Sequence, residues 1–295
     1  MINEQHGLPV GVLTQACAQV GLDAAAARLI KFTNNAVFDL VTSPVVVRIP
    51  GSPSVNERVN KVVAVAKWLE ENDMPSVRLV EGLPQPLEIA NTRVTFWQRV
   101  PPANTSPTGY DLGRALRRYH TLPHPKLELP TWQPMISVRS RIESEDVLTP
   151  GDHAFLIEKC DEVQEALDGV PYFLPPGPVH GDAFMGNLIP GPEGPVLCDF
   201  DSTAYGPREW DLTPVAVGKL RFSYSTSAQE ELASAYGTDI LDWSHFDTLR
   251  QLRELQLVTS VLPVLRSNPK LVIQWTLRFK SFRDGDRDAI WTTYN

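Results

Sequence analysis

The chain has 295 residues, of which 42% are hydrophobic and 21% charged, so it can form one large domain or two packed lobes sharing a cleft. Its net charge of −8 and its pI near 5.3 exclude a dedicated nucleic-acid-binding protein, because phosphate contacts need a basic face. The three cysteines (Cys17, Cys160 and Cys198) are widely spaced and form no CxxC pair, which argues against a disulfide framework or a zinc site.

Neither secretion nor membrane insertion is indicated. The start of the chain carries Glu4 and no basic segment before an apolar run, unlike a secretory signal. The longest nearly apolar stretch, residues 255–265, is interrupted by polar residues and is too short to span a bilayer. We therefore expect a cytoplasmic protein whose partners include neither a membrane nor a nucleic acid. No pattern specifies an oligomeric state.

The first hundred residues mix short strand-like runs with one helix. Two β-branched runs, residues 37–41 and 45–49, are separated by Thr42-Ser-Pro44, which predicts a hairpin. Apolar residues at three- and four-residue steps predict an amphipathic helix over residues 55–72. Further strands are expected at residues 77–80 and 93–100. The region is therefore predicted to contain a five-stranded antiparallel sheet and one helix.

Helical patterns dominate after a proline-rich linker at residues 101–107. Four helices are predicted here. The first contains Leu112, Leu116 and Tyr119, and the second is capped by Thr149 and runs to about Leu167. The third runs from Ser227 to Gly237, and the fourth carries an apolar stripe that starts at Leu252. Two short apolar runs, residues 187–189 and 195–200, flank a Gly/Pro turn and predict a second hairpin. The expected organisation is a β-rich N-terminal lobe, residues 1–100, and a mainly helical C-terminal lobe, residues 101–295.

The most informative pattern lies around this second hairpin. It is H-x-D-x-x-x-x-N, from His180 to Asn187, followed by a strand and then by Asp199. In kinase catalytic loops the aspartate that accepts the hydroxyl proton and the asparagine that binds metal have this spacing, which Asp182 and Asn187 reproduce. Asp199 and Asn187 supply the hard oxygen ligands that Mg²⁺ prefers. The alternative is a hairpin whose polar residues only cap turns.

The sequence resembles the aminoglycoside phosphotransferase and choline kinase group. The resemblance is sharp between Val179 and Leu212 and extends plausibly over the whole chain. The residues that carry it are His180-Gly-Asp182, Asn187, Asp199-Phe-Asp201 and Gly206-Pro-Arg-Glu-Trp-Asp-Leu212. It implies an α+β, protein-kinase-like fold, with residues 1–100 as nucleotide-binding lobe and residues 101–295 as catalytic and substrate-binding lobe. It also implies that Asp182 is the catalytic aspartate, that Asn187 and Asp199 bind Mg²⁺, and that Asp211 is a buried carboxylate supporting the catalytic loop.

The N-terminal lobe contains weaker matches to a nucleotide site. Kinases pair a strand lysine with a helix glutamate to hold the phosphates, and here Arg48 and Glu57 occupy comparable places. The alternative is an edge arginine and a glutamate that favours the helix dipole. Gln98 and Val100 lie where the adenine-binding hinge of this fold is expected, although an ordinary core strand explains them equally. The expected phosphate-covering loop, residues 31–36, lacks glycine, but asparagine tolerates a left-handed backbone, so Asn34 and Asn35 could make the turn.

Several other residues allow two interpretations. His180 and His120 are expected to have structural roles, and Cys198 to fill space beside Asp199. Acidic residues of the C-terminal half could bind an amine-bearing substrate; they include Asp201, Glu209, Asp242 and Glu254.

The resulting prediction is a kinase that moves the γ-phosphate of ATP or GTP, with Mg²⁺, to a hydroxyl of a small molecule such as an aminoglycoside, an amino sugar or choline. The alternatives are a nucleotide-binding regulator of the same fold with little turnover, and a magnesium-dependent hydrolase. Against the hydrolase, the sequence lacks the extra acidic cluster that a two-metal site needs.

Overall fold

A computed structural model describes residues 9–223 and 226–294 of the chain. Residues 1–8, part of the segment for which we expect no secretory signal, lie outside the described residues. No helix in those two ranges combines the length and the apolar character needed to cross a bilayer. In chain order the elements are α1 (Val10–Gln19), β1 (Arg28–Phe32), β2 (Asn35–Leu40), β3 (Val45–Pro50), α2 (Pro53–Glu71), β4 (Leu87–Ile89), β5 (Thr92–Gln98), α3 (Gly109–His120), α4 (Pro134–Ser144), α5 (Pro150–Asp168), β6 (Gly177–Val179), β7 (Leu188–Ile189), β8 (Val196–Leu197), β9 (Ala204–Gly206), α6 (Glu209–Phe222), α7 (Thr226–Tyr236), α8 (Phe246–Thr259), α9 (Leu262–Leu265) and α10 (Leu271–Arg283).

The chain divides into two compact units that interleave along the sequence. The first, here called the sheet unit, comprises Met1–Pro107, Thr121–Leu129 and Gly186–Thr203. The second, the helical unit, comprises Thr108–His120, Pro130–Met185 and Ala204–Asn295. The functional boundary predicted at residue 100 stays a prediction.

The sheet unit contains a five-stranded antiparallel sheet with the strand order β1-β2-β3-β5-β4. The predicted hairpin is confirmed, with Asn35 opposite Pro50 and Leu40 opposite Val45. The strand predicted at residues 77–80 is wrong: this segment forms only an isolated bridge between Leu79 and Trp97. The remaining places in the sheet are filled by β1 and β4. The prediction of a single helix is also wrong, because α1 precedes the sheet.

Helix α2 forms where its apolar periodicity predicts. Ser52 caps its start by accepting a hydrogen bond from the Val55 N–H, and proline at the first helical position needs no partner for its nitrogen. Its buried face includes Val59, Val62 and Leu69. Burial of each such side chain stabilises the fold by about 1.5–3 kcal/mol.

In the helical unit, a core of apolar side chains is shared by α4, α5, α8 and α10. The predicted cap of α5 is confirmed, since Thr149 Oγ1 accepts the Asp152 N–H at 3.1 Å. Helices α3 and α7 pack so closely that a Cβ on Gly109 would lie 1.9 Å from the Ala228 carbonyl oxygen. Gly113 faces α7 in the same way, 2.6 Å from the Leu232 oxygen. Glycine is therefore required at both positions of α3.

Candidate active site

The metal-ligand candidates lie at the end of the β7–β8 hairpin, in the sheet unit. Asn187 is buried and directly precedes β7, and its backbone oxygen accepts the Cys198 N–H at 3.0 Å. Asp199 follows β8 with φ 67° and ψ 73°, a left-handed conformation that aspartate tolerates better than most residues. The hairpin thus brings the two predicted ligands to neighbouring strand ends. The strand predicted over residues 195–200 ends at Leu197, because the backbone turns at Asp199.

Arg48 projects from β3 onto the acidic residues that follow β8. Its Nη2 lies 3.4 Å from Asp199 Oδ1 and also donates to Asp201 Oδ2. Glu57, which was considered as its partner, is exposed on α2, and among the ion pairs of the described residues Arg48 pairs with the two aspartates instead. Burial lowers the pKa of Arg48 while Asp199 opposes this shift, and an arginine stays charged in either case.

Lys61 was not foreseen from the sequence. From α2 its ammonium donates to the backbone oxygens of Asp201 at 2.6 Å and Thr203 at 2.8 Å. Burial lowers the pKa of Lys61 to about 8, with a smaller contribution from Arg58. Lys61 lies one turn after Glu57 on the predicted helix, so its place on a helix could be predicted. Its buried contacts could not, because a lysine is usually exposed to solvent.

The predicted hinge begins at the last residue of β5. The Gln98 N–H donates to the Arg78 oxygen at 2.8 Å, and its side chain donates to the Leu79 oxygen at 3.1 Å. Val100 follows β5 and lies close to the turn of the β7–β8 hairpin. A Cβ added to Gly191 in that turn would lie 3.3 Å from Cγ1 of Val100. The β1–β2 turn does not use left-handed asparagine, since neither Asn34 nor Asn35 has a positive φ and Asn35 already begins β2.

The loop that carries Asp182 belongs to the helical unit and follows β6. Asp211, fully buried on α6, accepts the His180 N–H at 2.7 Å and the Gly181 N–H at 2.8 Å. The Trp210 indole donates to the Gly181 oxygen at 2.9 Å. Gly181 has φ 87°, which a residue with a side chain rarely adopts. The backbone just before Asp182 is therefore held by fixed hydrogen bonds.

His120 extends this network. Its Nε2 lies 3.0 Å from Asp211 Oδ2, and its Nδ1 lies 2.9 Å from the Tyr236 hydroxyl. An ionised carboxylate only accepts hydrogen bonds, so Nε2 carries a proton. His120 is buried and binds Asp211 rather than facing solvent at the end of α3. Burial raises the pKa of Tyr236, and its hydroxyl therefore stays protonated.

Asp182 has a cationic neighbour that the sequence pattern did not reveal. Arg253 of α8 donates from Nη2 to Asp182 Oδ1 at 3.0 Å. The Asp182 side chain is 39% exposed and that of Arg253 is 18% exposed. The two residues are separated by 71 positions, and no local motif links them.

Three of the acidic residues considered as ligands for an amine-bearing substrate have structural roles. Asp201 pairs with Arg48. Glu209 is buried and accepts the N–H groups of residues 173 and 174 at 2.7 Å each. Glu254 is buried between Arg221 and Arg250. Asp242 remains exposed.

The donor set beside the hairpin fits magnesium better than zinc or calcium. The described residues contain no cluster of three or more His, Cys, Asp or Glu side chains that could hold a metal ion. Magnesium needs no such cluster, because it keeps several waters and binds proteins through one or two carboxylates together with substrate phosphates. One amide oxygen, from Asn187, and one partly exposed carboxylate, from Asp199, match that requirement.

Solved structures share this architecture over nearly the whole chain. A choline/ethanolamine kinase family protein from Mesorhizobium loti is 17% identical, with a TM-score of 0.62, and the match covers 93% of this chain and 92% of the other. Amicoumacin kinase hAmiN is 13% identical, with a TM-score of 0.69 and 91% of each chain covered. The GDP and kanamycin complex of APH(2")-IIia is 12% identical, with a TM-score of 0.66, and 94% of this chain and 99% of that chain are covered. At these identities the similarity shows the α+β, protein-kinase-like fold.

The family is shown by the sequence itself. The model of the phosphotransferase enzyme family, APH, matches residues 29–255, which is most of the chain. No curated protein matches this chain. The chain belongs to the phosphotransferase enzyme family, and the resemblance seen in its motifs is confirmed.

Proposed function

We propose that the chain is a small-molecule kinase that moves the γ-phosphoryl group of ATP or GTP to a hydroxyl group. The observation that carries this proposal is the β7–β8 hairpin, which holds Asn187 just before β7 and Asp199 shortly after β8. Family membership supports the reaction class. Two of the structural neighbours were solved with AMP-PNP or GDP, which supports a nucleoside triphosphate as phosphoryl donor.

Asn187, Asp199 and Arg48 act on the phosphates in this proposal. Asn187 and Asp199 hold the magnesium ion, which neutralises charge on the β- and γ-phosphates when bound. Arg48 binds phosphate oxygens, since its guanidinium is already placed beside Asp199. Glu57 is exposed on α2. The same helix carries Lys61, whose ammonium donates to the backbone oxygen of Asp201.

The hinge residues Gln98 and Val100 are proposed to bind the base of the nucleotide. The Gln98 and Arg99 N–H groups donate to Arg78 and Pro44, whereas no backbone partner of the Val100 N–H is present among the described residues. An available donor at Val100 is suited to a ring nitrogen of a purine. The choice between adenine and guanine then depends on which acceptors and donors flank that nitrogen.

Asp182 acts as catalytic base in the proposed reaction. The acceptor oxygen forms a bond to the γ-phosphorus while the bond from that phosphorus to the β–γ bridging oxygen breaks. The hydroxyl proton passes to an Asp182 carboxylate oxygen, and the nucleoside diphosphate leaves. Because Asp211 fixes the N–H groups of residues 180 and 181, the carboxylate of Asp182 starts from a defined backbone position.

The direct test is the variant Asp182→Asn, which preserves size but removes the basic oxygen. A positioned general base contributes about 10²–10⁴-fold in rate, so kcat should fall by about that factor while nucleotide affinity barely changes. Release of ADP or GDP should be measured against aminoglycosides, amino sugars, choline and hydroxy acids, with affinity from calorimetry.

The matched control is Asp161→Asn, another exposed aspartate paired with an arginine of the same unit. It should leave kcat unchanged. Near-wild-type turnover of Asp182→Asn would remove Asp182 from the base role. Tight nucleotide binding without transfer to any acceptor class would favour the nucleotide-binding regulator instead.

A further inference from the structure

Helix α8 presents a cation to the proposed catalytic base. Arg253 Nη2 donates to Asp182 Oδ1 at 3.0 Å, and Nη1 lies 3.4 Å from Gln256 Oε1. A guanidinium carries five N–H groups in a planar fork, and the remaining ones of Arg253 have no partner in the described part of the chain. The fork is partly exposed and can bind a second group next to Asp182.

The acidic residues of α8 do not offset this charge. Glu254 is buried and accepts Arg221 at 2.7 and 2.9 Å and Arg250 at 2.7 Å. Asp247 pairs with Arg287. Both carboxylates of α8 are therefore engaged by other arginines, and Arg253 is the charged side chain that α8 brings to the catalytic loop.

From this arrangement we propose that the acceptor is a hydroxy acid, whose carboxylate is bound by Arg253 while its hydroxyl faces Asp182. This inference rests on the proposed kinase function and specifies its substrate class. The planar guanidinium matches a carboxylate, and hydrogen bonds between charged groups are the strong ones. A polycationic acceptor such as kanamycin would instead place ammonium groups against Arg253, where like charges repel.

Binding through Arg253 also orients the acceptor. The hydroxyl oxygen forms the new bond to the γ-phosphorus, the β–γ bridging bond breaks, and the hydroxyl proton goes to Asp182. The carboxylate of the acceptor is unchanged in this step and keeps its bonds to Arg253. Arg253 is therefore a specificity-determining residue in the proposed reaction, and its removal should affect carboxylate acceptors selectively.

The test compares matched acceptors that differ in one group. Gluconate, glucose and glucosamine form one set, and glycerate, glycerol and serinol form a second; kanamycin and choline are added as cationic acceptors. The purified 295-residue chain is assayed with magnesium and ATP or GTP, following formation of the phosphorylated product. We expect transfer to the carboxylate member of a set, with a kcat/KM at least tenfold above those of its neutral and cationic partners.

Variants of Arg253 then separate binding from a general structural effect. Arg253→Met removes the contact with Asp182 for every acceptor, so the test is selectivity: kcat/KM should fall about 10- to 100-fold more for the carboxylate acceptor than for its neutral partner, mainly through KM. Arg253→Lys should restore part of the loss, since it keeps the charge but not the fork. Arg266→Met, which removes an exposed arginine paired with Asp146, is the matched control and should change nothing.

The outcomes distinguish this inference from the proposed function. Transfer only to cationic or neutral acceptors, or an equal loss for all acceptors in a folded Arg253→Met variant, would overturn the hydroxy-acid inference and leave the kinase function standing. Absence of transfer to every class in the panel would overturn the kinase function and the inference with it. Thermal unfolding of each variant checks that it is folded.

Discussion

Asp199 contacts the guanidinium of Arg48 in the structure and is proposed to bind magnesium as well. Arg48 Nη2 lies 3.4 Å from Asp199 Oδ1, which leaves the second carboxylate oxygen for magnesium. Asp199→Asn keeps the shape but removes the negative charge, so the Kd for the magnesium nucleotide should rise about tenfold or more, equivalent to roughly 1.4 kcal/mol. Calorimetry with and without magnesium measures this change.

The control for this prediction comes from the same hairpin. Glu193 is exposed in the turn between β7 and β8, and Glu193→Gln should leave the magnesium dependence unchanged. If Asp199→Asn bound nucleotide with the magnesium dependence of the wild type, Asp199 would not be a metal ligand.

Single residues could be predicted from the sequence only where the pattern was local. Asp182, Asn187 and Asp199 lie within 18 positions of one another, and the spacing of the first two identified a kinase-like loop. The pairing of Arg48 with Asp201 spans 153 positions, and that of Arg253 with Asp182 spans 71. Such pairs depend on how distant elements pack, so no spacing rule could reveal them.

At the scale of elements, α2 is linked to the segment after Asp199 by Lys61. The pKa of Lys61 falls from 10.5 to about 8 on folding, so between these values the unfolded chain binds more protons and stability rises with pH. The stability of the wild type relative to Lys61→Met should therefore be flat below about pH 8. It should then increase by up to about 3 kcal/mol towards pH 10.5.

Urea unfolding at a series of pH values measures this difference. A neutral amine still has two N–H groups, so the contacts with the oxygens of Asp201 and Thr203 persist as the proton leaves. Lys67→Met, which removes an exposed lysine of the same helix, should show no such slope. A difference curve for Lys61→Met that stays flat to pH 10.5 would contradict the lowered pKa.

The elements that the sequence predicted well have strong periodicity. Helix α2 and strands β2 and β3 were found because their apolar residues repeat at the helical or strand period. Strand β1 was missed because all five of its residues are exposed, and β4 because it has only three residues. The apolar run at 77–80 looked like a strand, yet its backbone forms only scattered hydrogen bonds, with Leu197, Phe96 and Gln98.

For the whole molecule, the change of periodicity near the proline-rich segment coincides with the first exit of the chain from the sheet unit, at Pro107. The α+β fold class could therefore be predicted. The later return of residues 186–203 to the sheet unit depends on contacts such as that of Ser76 with Leu197, which lie far apart in sequence. Sequence periodicity describes neighbours along the chain and does not encode these contacts.

Nucleotide binding should stabilise the folded chain as a whole. A ligand that binds only the folded state adds about 2.7 kcal/mol at a hundred times its Kd, a substantial part of the roughly 5–15 kcal/mol that holds a typical protein folded. Magnesium with ATP or GTP should therefore raise the unfolding temperature by several degrees, and the nucleotide that gives the larger shift is the preferred donor. With a chelator present the shift should be much smaller, because Asn187 and Asp199 act through the metal. Scanning calorimetry of the wild type measures both shifts, and equal shifts with and without magnesium would contradict the proposed metal site.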